Sequence, residues 1–434
     1  MIRVGLLGCG TVGGGVVQLL AANASYLEAR VGAPLHLARV AVRDRDKDRV
    51  ADLPREKLTT DAHAVVSDPT IDVVVEVMGG ITPAQALIEH AIDSGKQVVT
   101  ANKMLLAKHG VTLLERAKSR GVDLAFEGAV GGGIPVIRVL RDALASDTIA
   151  SLVGIVNGTS NYILSRMRSD GLTFEAALAE AQAKGYAEAD PSLDVDGGDA
   201  SHKLAVLAML AFGASVDGNA IFTEGIRSIA PIDHEFAARF GYVIKHLAIA
   251  NDRGASTGSG SGPLELRVHP ALVAKESPLA NIHGVLNAIA VEGRALGPCV
   301  LSGRGAGDLP TAVSVVADLV DVAVAKRSGV SGQSTRAVQL QPRAVAPMDD
   351  VEGRYYFRFT VFDRPGVLAR IAGALGERGV SIEQLVQHKK GRSDVPVEVV
   401  MLTHDAKESS VRQACRVIES SDFVAQPLRV LRVL

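Results

Sequence analysis

Residues 2–13 read IRVGLLGCGTVG, and this stretch decides the fold. The run at 2–7 is short and apolar, as a buried strand requires, and the residues after Gly13 continue as a long helical stretch. Between them Gly8-Cys9-Gly10-Thr11-Val12-Gly13 spells G-x-G-x-x-G. The first glycine permits a tight turn, the second lets the backbone approach a pyrophosphate, and the third lets helix and strand pack closely. The unpaired N–H groups at the helix start then face the phosphates. A glycine-rich turn alone says little. With a strand before it and a helix after it, the pattern predicts dinucleotide binding by Gly8, Gly10, Thr11, Val12 and Gly13.

Moving outward, a second strand is expected at 35–42, ending in Arg43-Asp44. An acid at this strand end binds a ribose 2′-OH, whereas an arginine suits a 2′-phosphate. Arg43 comes first, which favours NADP(H), with NAD(H) also compatible; a solvated charged turn is the other reading. The apolar run 71–80 reads as a strand buried on both faces, followed by a helix with Pro83 in its first turn and Gly95 at its end. A further strand, 96–103, ends in Lys103, where open parallel sheets bind ligands. Lys103 is thus a candidate contact to cofactor or substrate, or else an exposed strand-end lysine. A helix at 111–120 and a strand at 122–130 complete an alternating pattern. The expected fold is α/β, with a doubly wound parallel sheet over 1–133, completed by 303–330.

The 434 residues are 47% hydrophobic and 22% charged, with a net charge of −2. That composition supports a sizeable core in several domains and leaves no basic footprint for nucleic acid. No apolar run has membrane-spanning length, and Met1 leads directly into a strand rather than a signal peptide, which points to the cytoplasm. The three cysteines, Cys9, Cys299 and Cys415, are far apart, and the eleven histidines form no HExxH. Neither a disulfide framework nor a transition-metal site is expected.

Residues 134–302 change pattern. Gly131-Gly132-Gly133 breaks the preceding strand. Inward-turned carbonyls there, with Glu127 close by, would suit a hard cation; from the residues alone a plain tight turn is the favoured reading. The stretch 151–164 reads as strand, turn and helix start, with Thr159 or Ser160 able to cap, then a helix of about 15 residues ends near Gly185 by its apolar spacing. GYAEADPSLDVDGGDASHK follows at 185–203, dense in carboxylates and ending on a lysine. The apolar run after it reads as a buried helix over 200–212. Asp199 sits near its start, where acids are favoured, and Lys203 is four residues on, on the same face. An ordinary surface ion pair would look the same. Residues 251–263 read as a polar flexible loop, 264–302 as further strands, and 303–308 as a second glycine-rich turn opening a helix.

At this point GLLGCGTVGGG, TANK, FEGAVGGGIP, GIVNGTSNYIL, GYAEADPSLDVDGGDASHK and GRGAGDLPTA stand in the order found in homoserine dehydrogenases. The resemblance covers nearly the whole chain and makes residues 134–302 a substrate-binding and dimerisation domain. It implies NAD(P)H-dependent reduction of L-aspartate 4-semialdehyde to L-homoserine, in threonine, methionine and isoleucine biosynthesis. It makes Lys203 the general acid/base, and Asp199 the residue that binds the reacting end of the substrate and orients the lysine. Glu188 resembles the residue binding the substrate's amino group, close to the cofactor, and Asp194 supports both. Lys103 matches a lysine near cofactor and substrate, and Gly185 and Gly303 resemble cofactor-contacting glycines. Glu127 with the backbone of Val130, Gly132 and Ile134 resembles a sodium site.

Residues 331–353 read as a linker. Residues 354–434 then run strand, helix, strand, strand, helix, strand, the ferredoxin-like order. This part resembles ACT domains, which implies an amino-acid effector, threonine, and pairing of copies as a homodimer or homotetramer. Exposed helix N–H groups near Gly366 would suit an amino acid's carboxylate; an oligomerisation domain without a ligand is the alternative. Two other readings of the whole chain are weighed: another ACT-tailed dehydrogenase, and a non-catalytic amino-acid sensor that retains NADP binding. Glu188, Asp199 and Lys203, all present, speak against the sensor.

Overall fold

The computed structural model describes residues 1–47, 53–254, 262–332, 340–388 and 395–434. The expected flexible loop and linker fall partly on residues 255–261 and 333–339, outside the described residues. The chain divides into two compact units: Met1–Val156, Ser201–Gly218 and Leu286–Arg343 in the first; Asn157–Ala200, Asn219–Val285 and Ala344–Leu434 in the second.

The first unit is built on a six-stranded sheet in the order Leu58–Thr59, Leu35–Ala41, Ile2–Leu7, Val73–Glu76, Gln97–Thr100, Leu124–Ala125. Every neighbouring pair is parallel. This is the doubly wound order with its switch point beside Ile2–Leu7. Val4, Leu6, Val73, Val75 and Val99 are fully buried, as strands covered on both faces must be. The helix Asp308–Arg327 packs on this core through Ala312, Val315, Leu319 and Ala323. Three antiparallel strands, Ile149–Ile155, Leu286–Gly293 and Gly297–Arg304, belong to the same unit.

The second unit pairs two long strands, Tyr242–Asp252 and Leu264–Ala274, over their full length. Strand Arg429–Val433 runs parallel to the latter and begins the C-terminal module. There the order is Arg429–Val433, Tyr355–Phe362, Pro396–Thr403, Ile382–His388. One face carries the helices Val367–Gly376 and Glu408–Glu419, burying Phe357, Phe359, Ile371 and Ile418. The other face is also covered: Tyr356, Val400, Leu402 and Leu431 pack with Tyr162, Ile163, Phe236 and Leu272. Alternation along one strand thus serves two cores.

Several expected boundaries move. The strand at 96–103 ends at Thr100, and Lys103 opens a helix that runs Lys103–Arg120, not from 111. The cause is Asn102, whose side chain caps Leu105 N. The strand at 122–130 shrinks to Leu124–Ala125, because Glu127 N donates to the Asp318 carboxylate (2.7 Å) and a short 3-10 turn follows. The helix near Gly185 is two helices, Gly158–Asp170 and Phe174–Ala183, divided at Gly171 (φ 66°). Asn157, rather than Thr159 or Ser160, caps the first of them.

Candidate active site

In the first unit the fingerprint glycines have distinct steric tasks. Gly8 has φ +97°, and a Cβ on Gly13 would lie 2.3 Å from the Gly8 carbonyl oxygen. A Cβ on Gly10 would meet nothing within 4 Å, so the space beside it is open. Helix Thr11–Ala22 starts there without a side-chain cap, with Thr11 exposed and Val12 packed partly into the core. The arrangement fits a pyrophosphate: an uncapped helix start and room for close approach. Arg43 and Asp44 lie exposed just beyond strand Leu35–Ala41.

Two residues that the sequence reading missed shape this sheet end. Buried Glu76 accepts hydrogen bonds from Met78 N (2.8 Å), Gly79 N (3.2 Å) and Thr100 Oγ1 (2.7 Å). Asn102 donates to the Gly80 carbonyl (2.6 Å) while capping the helix that Lys103 begins. Lys103 is half-buried. The signal for Asn102 lies in its residue type, a strong N-cap former. Glu76, an acid inside an apolar strand, is the kind of exception that calls for bonded partners.

Glu127 is 2% exposed. Its carboxylate accepts from Ile137 N (2.8 Å) and Arg138 N (2.9 Å), capping the turn that follows Pro135. Burial, and next the neighbouring Asp318, push it up to about 7. The Gly132 carbonyl accepts the Ser314 hydroxyl (2.6 Å), and the Ile134 carbonyl accepts Val136 N (2.7 Å). Val130 is fully buried. Gly303 lies in strand Gly297–Arg304, whose last residue accepts Gly133 N (3.0 Å). The two glycine-rich stretches therefore meet backbone to backbone.

The acidic motif supplies a buried polar cluster. Gly185 (φ +72°) ends the turn after helix Phe174–Ala183, and Glu188 is exposed just beyond it. One turn of helix, Ser192–Val195, carries Asp194. Helix Gly198–Ala211 then begins, with Asp199 in its first turn and Lys203 one turn later. Asp199 is 3% exposed and Lys203 7%. The Asn157 amide donates to both Asp194 Oδ1 (2.7 Å) and Asp199 Oδ2 (2.9 Å). Lys203 Nζ donates to the Val156 carbonyl (2.7 Å). Adjacent residues at the end of one strand thus fix the lysine and the aspartate. A buried amine and carboxylate held in this way are not a solvated surface pair. They can donate a proton to an oxygen and hold the group that carries it.

A family model for homoserine dehydrogenase matches residues 135–320, one for the homoserine dehydrogenase NAD binding domain matches 8–127, and one for the ACT domain matches 355–420. The homoserine dehydrogenase of Synechocystis sp. is 44% identical over 100% of this chain and 99% of its own length. That of Pseudomonas aeruginosa is 44% identical over 100% and 98%. The chain belongs to the homoserine dehydrogenases. The crystal structure of a homoserine dehydrogenase from Thiobacillus denitrificans superposes with a TM-score of 0.91 at 42% identity, covering 100% of this chain and 98% of that one. As a homoserine dehydrogenase the chain is an oxidoreductase, with an NAD(P)-binding domain and a C-terminal ACT domain. No helix among the described residues is long and apolar enough to cross a membrane.

Proposed function

We propose that this homoserine dehydrogenase reduces L-aspartate 4-semialdehyde to L-homoserine with Lys203 as general acid, and that the reverse reaction uses Lys203 as base. The observation that carries this reading is the pairing of Lys203 with Val156 and of Asp199 with Asn157 on one buried helix. Lys203 Nζ gives its proton to the carbonyl oxygen as charge develops there; burial makes that interaction strong. Asp199 holds the reacting end of the substrate, Asp194 supports it through the shared Asn157 amide, and exposed Glu188 takes the substrate's ammonium. A bound nicotinamide supplies the hydride. Gly8, Gly10, Thr11, Val12 and Gly13 hold its pyrophosphate, and Lys103, Gly185, Glu188 and Gly303 contribute further cofactor contacts.

NADP(H) is the preferred cofactor in this reading, because Arg43 stands exposed at the strand end where a 2′-phosphate would sit. Threonine is the effector of the ACT domain, where helix Val367–Gly376 starts at exposed Gly366 (φ +88°) without a side-chain cap. The enzyme then serves threonine, methionine and isoleucine synthesis in the cytoplasm, as a homodimer or homotetramer. A sodium ion at Glu127 and the backbone of Val130, Gly132 and Ile134 belongs to the same reading. The Glu127 carboxylate and the carbonyls of Gly132 and Ile134 accept hydrogen bonds from the chain, and each carbonyl oxygen keeps a second lone pair for a cation. The test is loss of NADPH absorbance with aspartate semialdehyde, with NADH in parallel and threonine added last. Turnover that threonine suppresses supports the whole reading; no turnover with either cofactor sinks it.

A further inference from the structure

Residues 222–227 form a strap in the second unit with one partner on each side. On one side it fits the acidic motif closely. Ile226 N donates to the Val195 carbonyl (2.9 Å), and Arg227 pairs with Asp196 through Nε (2.6 Å) and Nη2 (3.0 Å). A Cβ on Gly225 would lie 2.3 Å from the Val195 oxygen, and one on Gly197 would lie 2.8 Å from Thr223 Cγ2. Backbone and backbone are in contact there, two residues before Asp199.

On the other side the strap is gripped by the last strand of the ACT module. Arg432 Nη1 donates to Glu224 Oε2 (2.7 Å), and Arg429 Nη1 to Glu224 Oε1 (3.2 Å). The Arg432 guanidinium also lies 4.9 Å from the Phe222 ring centre, and it holds Glu408, at the start of helix Glu408–Glu419, through Nε (3.0 Å) and Nη2 (2.6 Å). Arg432 and Glu408 are buried, so these pairs are little screened by solvent. His246 Nε2, 3.0 Å from the Glu224 carbonyl oxygen, pins the strap from a third direction.

We infer that Glu224 is a positioning residue of the dehydrogenase, transmitting the placement of the ACT module's last strand to the turn that sets Asp199. The inference rests on the roles proposed above for Asp199 and Lys203. Glu224 touches neither side chain; it acts through a strap too tightly packed against residues 195–197 to shift without them.

The test uses the full-length enzyme with Glu224→Gln, Arg429→Gln, the double variant and Lys203→Ala. We expect Glu224→Gln to lower kcat/KM for aspartate semialdehyde about tenfold, a typical coupling effect, while the Kd for NADPH stays within about twofold. The double variant should be no worse than Glu224→Gln alone, because the pair that Arg429→Gln breaks is already lost in Glu224→Gln. A Glu224→Gln enzyme with a lowered Tm but unchanged kcat and KM, beside an inactive Lys203→Ala, would make the strap a structural brace and overturn the inference. Fully additive effects would also overturn it. If Lys203→Ala itself turns over normally, the site reading has failed and this inference falls with it.

Discussion

Asn157 holds two carboxylates with one amide, and two other side chains of the second unit show what such partnering is worth. Asp233 is fully buried, and Arg358 Nε (2.7 Å) and the Tyr356 hydroxyl (3.0 Å) both donate to it. Its neighbour His234 is also buried, but neither ring nitrogen has a hydrogen-bond partner, and burial lowers it from 6.5 to about 4. Above pH 6.5 both folded and unfolded chains carry this imidazole neutral. As pH falls from 6.5 towards 4 the unfolded chain binds a proton that the folded one refuses, so stability is lost in that window. We expect His234→Phe to lose less stability than the parent between pH 7 and 5, by on the order of 1–2 kcal/mol. Denaturant titrations at the two pH values check this; equal acid losses would refute it. Arg43→Ala should weaken NADPH by about tenfold and leave NADH nearly unchanged, since only the former carries a 2′-phosphate. Equal effects in fluorescence titrations would remove Arg43 from the cofactor site.

Elements were legible where their pattern is local. The fingerprint at 8–13, the buried strand at 73–76 and the βαββαβ order of the C-terminal module all follow from periodicity and turn residues. So did the spacing of Asp199 and Lys203 on one helix. What periodicity cannot supply is the contact partner. The early start of helix Lys103–Arg120 depends on the Asn102 cap, and the short strand Leu124–Ala125 on an acid 191 residues away in sequence. Asn157 and Glu224 were missed for the same reason: each is an ordinary polar residue until the fold brings its partners to it. The fingerprint helix allows a direct check of its packing. A methyl group at Gly13 meets the Gly8 carbonyl, a backbone atom with little freedom to move. Gly13→Ala should therefore cost about 1–3 kcal/mol in thermal denaturation and weaken NADPH binding with it. A variant of wild-type stability and affinity would show that the turn is looser than this geometry.

At the scale of the molecule, the ACT module is part of the second unit's core rather than a bead on a linker. Its last strand pairs with Leu264–Ala274, and Tyr356, Val400, Leu402 and Leu431 are buried with residues outside the module. Each such side chain contributes about 1.5–3 kcal/mol by burial, against about 5–15 kcal/mol for a whole domain. Ending the chain at residue 353 would remove them and leave Asp233 buried without its arginine. We expect that truncated chain to be insoluble or unfolded by circular dichroism; a soluble fragment with full turnover would contradict the shared core. The intact chain is accordingly the form in which to examine the chemistry. The decisive measurement is NADPH oxidation by Lys203→Ala with saturating aspartate semialdehyde, beside its NADPH binding. Loss of turnover by about 10²–10⁴-fold with cofactor affinity unchanged is the expected result. Turnover within a few-fold of the parent would mean that Lys203 is not the acid and that the buried helix has another purpose.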